Sequence, residues 1–143
     1  MTSTISSKIA LQWGISWVLL CLAFAVNLFD EAIHHFLALY NPIVLSVHGQ
    51  FSLLPPPTSH FQTWLTVLVI VIVALLALSI YAFQASRWMR PLSYLFAIVM
   101  MVNGLLHIAG SIIVKAAIPG VITSPLILLA AGYLLIIARK TKT

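Results

Sequence analysis

Acid is almost missing from this chain. Two carboxylates, Asp30 and Glu31, occur in 143 residues, and charged residues of either sign make up only 6%. An average soluble domain carries about a quarter charged residues, so that class is excluded. Cysteine is scarcer still, with Cys21 alone inside an apolar run. That excludes an intrachain disulfide and a cysteine-based metal cage, and leaves the thiol as a small buried hydrophobe. A phosphate-cradling glycine loop, a Ser–His–Asp order and a nucleotide fingerprint are all missing.

What is present is grease. Hydrophobic residues account for 62% of the chain and the mean hydropathy is +1.14. The net charge of +5 does not mark a nucleic-acid protein. Its sources, Lys8, Arg87, Arg90, Lys115, Arg139, Lys140 and Lys142, all lie at the edges of apolar runs. Charges flanking membrane spans are distributed in this way, and a basic binding face is not.

Four apolar segments stand out, over about 11–39, 62–85, 91–114 and 119–138. Each is long enough to cross a hydrocarbon core of about 30 Å at about 1.5 Å per residue. Pro91 and Pro119 suit helix first turns, where a missing N–H costs little. The expectation is a single all-α membrane domain over 1–143, an integral membrane four-helix bundle. With both termini on one side, six of the seven basic residues fall there, and only Lys115 lies opposite. The positive-inside rule makes that side cytoplasmic. Lys8, the following run and "AFA" at 23–25 mimic a secretory signal. Cleavage there would remove most of the first span, so this stretch reads as a retained helix.

The connection over 40–61 is long, uncharged and apolar, with three successive prolines that cannot continue a helix. It reads as an irregular external loop, either a lid folding back over the bundle or a segment lying among headgroups. The tryptophans Trp13, Trp17, Trp64 and Trp88 read as interfacial anchors, with a place beside a pocket as the alternative for Trp64.

The polar residues meet. In "VNLFDEAIHHF" (26–36), Asn27, Glu31 and His34 are spaced by four and three and share a helix face. Asp30 is adjacent, and His35 follows Glu31 by one turn. In the third span Asn103, His107 and Ser111 recur every fourth residue. Spans one and three run parallel. Counted from their outer ends, Glu31 and His107 are eight and seven residues deep, about 10–12 Å. Thr123 and Ser124 open the fourth span on that side, where Pro125 frees a backbone carbonyl. Ionisable groups in lipid cost at least about 2.5–3.5 kcal/mol each and normally face a protein interior or cavity. A purely structural network is the competing account, yet two carboxylates, two asparagines and three histidines exceed what packing needs.

These residues carry a resemblance. "NLFDE" (27–31), "NGLLH" (103–107) and "IPGVITSPLIL" (118–128) resemble the small bacterial membrane proteins named for an HXXEE motif. Asn27 stands where that family has histidine and Asp30 where it has the first glutamate, while Glu31 matches. The resemblance implies a multi-helix protein of the bacterial inner membrane and carries no activity with it.

Three functions compete. The first is an intramembrane acid–base enzyme acting on an isoprenoid- or sterol-like lipid, by isomerisation, cyclisation or epoxide opening. Glu31 is then the acid, Asp30 its partner and His107 the base or orienter. Asn27, Asn103, His34, His35, Ser111, Thr123, Ser124 and Trp64 surround the substrate. No cofactor is needed. The second is a divalent metal site built from Glu31, His34 and His107, because Glu-x-x-His spacing occurs in metal-binding bundles. The third is a lipid-binding protein or proton relay, which as a carrier requires a homodimer. Membrane lipids are the expected surroundings, and nucleic acid is not an expected partner.

Overall fold

The computed structural model describes residues 7–49 and 60–141. Five helices account for nearly all of it: α1 (Ser7–Ile33), α2 (Phe36–His48), α3 (Phe61–Phe83), α4 (Met89–Val114) and α5 (Ser124–Lys140). α1, α3 and α4 are long and apolar enough to cross a membrane, whereas α5 has 17 residues and spans about 26 Å. Large apolar side chains cover the outside, such as Ile70 on α3 and Ile113 on α4. On a water-facing surface such patches would drive association, so this is the surface of a helical membrane protein.

α1 is the central element. It packs against α3 on one side and α5 on the other, and α4 packs against α5. α1 and α4 run in the same direction, since Trp13 meets Ser93 at one end and Glu31 meets His107 at the other. The apolar core sits towards the terminal end, where Trp17, Leu20 and Cys21 pack with Ala97, Ala131 and Leu134. Trp13 and Trp17 belong to that core, at 1% and 0% exposure, and are not interfacial anchors. Each buried indole N–H has found an acceptor: Trp13 donates to Ser93 Oγ at 2.9 Å and Trp17 to the Leu75 carbonyl at 2.7 Å. That pairing is what admits tryptophan to a dry interior. Gly14 lets the Phe83 ring lie directly on the α1 backbone, where a β-carbon would collide with it.

The chain departs from the expected spans in three places. The first apolar run, expected as one helix over 11–39, breaks at 34–35, where His35 adopts a left-handed conformation at φ 55°. No glycine or proline marks the break, and Ile33, Phe36 and Leu37 continue the apolar run on either side of it. Residues 36–48 then form α2, so that 40–48, expected as part of an irregular loop over 40–61, are helical with Pro42 inside. Positions 50–59, including the three prolines, lie outside the described residues. The fourth helix starts at Ser124 rather than Pro119. Pro119 belongs to a turn that Gly120 completes at φ 86°, and Pro125 takes the helix first turn.

Candidate functional site

The polar residues of α1 project from its last two turns towards α4 and the α4–α5 turn. Glu31 and His107 are 6% and 5% exposed. His107 Nε2 lies 2.8 Å from Glu31 Oε1. The same oxygen accepts a 2.6 Å hydrogen bond from Asn27 Nδ2 one turn below. A single proton, on the carboxyl or on the imidazole, makes the Glu31–His107 contact. The imidazole is held by shape as well: the Phe36 ring is tilted against it at 5.7 Å. A β-carbon on Gly120 would come within 2.6 Å of its Cε1 atom. Gly120 is thus required twice, for its positive φ and for its closeness to the ring.

Asp30, one residue before Glu31, faces elsewhere. Its Oδ2 accepts the Gly120 backbone N–H at 2.9 Å and lies 3.3 Å from the Thr123 hydroxyl. Its Oδ1 is 2.8 Å from Nδ1 of His34. Thr123 stands at the N-cap of α5, yet its hydroxyl caps nothing in its own helix. Its nearest acceptor is Asn27 Oδ1 at 2.9 Å, with the Gly120 carbonyl at 3.2 Å. The two acids are therefore joined only indirectly, through Thr123 and Asn27. Consecutive helical residues differ by about 100° in direction, and that rotation separates them.

Two cavities mark the separation. A cavity of about 350 Å³ is bounded by α1, α2, α3 and α4. Glu31, Asn103, Phe36, Tyr40 and Trp64 line its outer part, and Phe24, Leu68, Val99 and Met100 its inner part. Asp30 and His34 line a second space of about 260 Å³ against Ala117, Pro119 and Ile122 of the α4–α5 turn.

Among the residues expected at a site, Asn27, Asp30, Glu31, His107 and Thr123 form one connected network. Asn103 and Trp64 join Glu31 at the larger cavity. Ser124 and Ser111 serve the turn: Ser124 donates to the Gly120 carbonyl at 2.7 Å, and Ser111 accepts the Ile118 N–H at 3.0 Å. His35 is exposed at the helix break. The side chain of His34 is 54% exposed and pairs with Asp30. Glu31, His34 and His107 are therefore not gathered as a metal triad. Among the described residues no three His, Cys, Asp or Glu side chains form a metal-holding group.

Sequence reasoning passed over Gly120, Phe24, Phe36 and Tyr40. Gly120 enters the sequence reading as a helix opening and as part of the HXXEE-like segment 118–128, with no contact to the site assigned to it. Phe36 and Tyr40 stand four residues apart, a spacing visible in the sequence, but they fell within a run read as span and loop. Comparison with protein-family models, curated proteins and solved structures gives no match for this chain.

Proposed function

We propose that the chain is a membrane-embedded enzyme that moves protons on an isoprenoid- or sterol-like lipid, by isomerisation, cyclisation or epoxide opening. The observation that carries this reading is the placement of Glu31. Its carboxyl lines an otherwise largely apolar cavity, while Oε1 is held from behind by His107 and Asn27. A water-poor space strengthens such a group as an acid or base towards a bound substrate. Glu31 is the proton donor, and His107 orients it and takes up or returns its proton. Asn103 and Trp64 contact the substrate from α4 and α3. Asp30 anchors the turn that supports His107, through Gly120, and acts as a positioning residue.

In this reading α1, α3, α4 and α5 are the four spans of a bundle in the bacterial inner membrane, in keeping with the HXXEE-like segments. The chain termini, Arg87 and Arg90 face the cytoplasm, which leaves the site in the outer half of the bilayer. The test is solvent-label transfer. The protein, reconstituted in vesicles with a non-polar membrane lipid extract in deuterated water, is expected to introduce deuterium into an olefinic lipid. Glu31→Gln should abolish that transfer without changing the thermal midpoint by more than a few degrees. Unchanged transfer in this variant removes the assignment.

A further inference from the structure

The walls of the cavity in front of Glu31 favour one sign of charge. The following inference rests on reading that cavity as the active site. Among the described residues its titratable lining groups are Glu31 and the phenol Tyr40; no lysine, arginine or histidine lines it, and His107 stands behind Glu31. Aromatic rings surround the acid. Phe36 is stacked on Tyr40 at 5.5 Å and on Trp64 at 6.1 Å, with interplanar angles of 26° and 28°. Phe24 adds a further ring about two turns down α1. Aromatic faces carry negative potential and attract cations, most strongly where water is excluded. A carboxylate among them adds a full negative charge. An oxyanion would find no cationic side chain among the described lining residues, only the neutral polar groups of Asn103, Tyr40 and Trp64.

We infer that this cavity takes a positive centre carried on an apolar chain, and that in the reaction the centre is a carbocation formed from an olefinic lipid. The carboxyl of Glu31 gives its proton to one carbon of a C=C bond. The π electrons become the new C–H bond, and the neighbouring carbon is left cationic. At that moment Glu31 becomes a carboxylate facing the charge it has created. Both of its hydrogen-bonding contacts among the described residues are to Oε1, which leaves Oε2 for the substrate. Loss of a proton from the carbon on the far side of the cation, back to Glu31, forms a double bond one position along. The acid is restored and no oxidant, reductant or second substrate is consumed. Leu68, Val99 and Met100 hold the hydrocarbon below.

The test uses the full chain in uncharged maltoside micelles and a dansyl-labelled alkylammonium as the bound probe. Dodecyltrimethylammonium should displace the probe at least about tenfold more effectively than its carbon isostere, in which the nitrogen is replaced by carbon. Tyr40→Phe, which keeps a ring, should retain this preference. Tyr40→Leu, Trp64→Leu and Glu31→Gln should each reduce it several-fold. Equal displacement by cation and isostere overturns the inference, and so does a preference that is indifferent to removal of the rings. Deuterium transfer reports separately on acid–base chemistry. Cation preference without transfer leaves a cation site in a binding protein, whereas transfer without preference keeps the enzyme and removes the carbocation.

Discussion

At the scale of single residues, the site is defined by what each polar group touches. Glu31 shares one oxygen between His107 and Asn27 and turns its other side to a cavity. Gly120 has no side chain to contribute, yet it supports two of the others, through its N–H on Asp30 and its bare α-carbon beside His107. Gly120→Ala should lower stability by about 1–3 kcal/mol, because it puts a β-carbon at a positive φ and into the imidazole. Thermal or denaturant unfolding in detergent checks this, and wild-type stability would contradict the packing described. Thr123 gives a second prediction. Thr123→Val removes the proton offered to Asn27 and should cost about 1–3 kcal/mol, the penalty for leaving a buried acceptor unpaired. Thr123→Ser keeps the hydroxyl and should recover most of the loss in the same measurement.

At the scale of elements, the decisive feature is the break between α1 and α2. The left-handed His35 turns the chain so that Phe36 reaches His107, while Phe36 and Tyr40 close the outer end of the cavity. A straight helix over 11–39 would carry these rings away from α4. Left-handed backbone costs a β-branched residue about 1–2 kcal/mol, so His35→Val should destabilise the protein by that amount. His35→Gly should not. Circular dichroism melts of the two variants separate the outcomes, and equal stability would mean that the turn is not held in this conformation. The α4–α5 turn is the matching device on the other side. There the Pro119–Gly120 pair gives a turn where hydropathy alone predicts helix, and the helix waits until Ser124.

At the scale of the whole molecule, α1 and α4 run parallel, with α3 and α5 returning between them. The core fills the terminal end, and the polar network fills the other. The proposed orientation would put that polar end in the outer half of a bilayer. It yields a labelling prediction. Gln84→Cys in the α3–α4 link and Ala117→Cys in the α4–α5 turn should react with membrane-impermeant thiol reagents from opposite sides of sealed vesicles. The native Cys21 is buried and should stay silent. Labelling of both new cysteines from one side would refute the bundle topology.

The sequence by itself determined the solvent and the helical class. Those follow from composition, from the length of apolar runs and from a fixed rise per residue. Counting from Leu39 and Val114 puts Glu31 and His107 at one depth, and they lie 2.8 Å apart, although α1 itself ends at Ile33 and not at Leu39. Only the tertiary structure decided that neighbouring Asp30 and Glu31 serve different cavities. A helix rotates successive side chains apart, but which direction meets a cavity and which meets a turn depends on where α5 and α2 pack. It alone also placed Trp13 and Trp17 in the core, since an acceptor for a buried indole comes from residues distant in the chain. The break at His35 was likewise invisible, because no glycine or proline marks it and one residue's left-handed angles are set by packing.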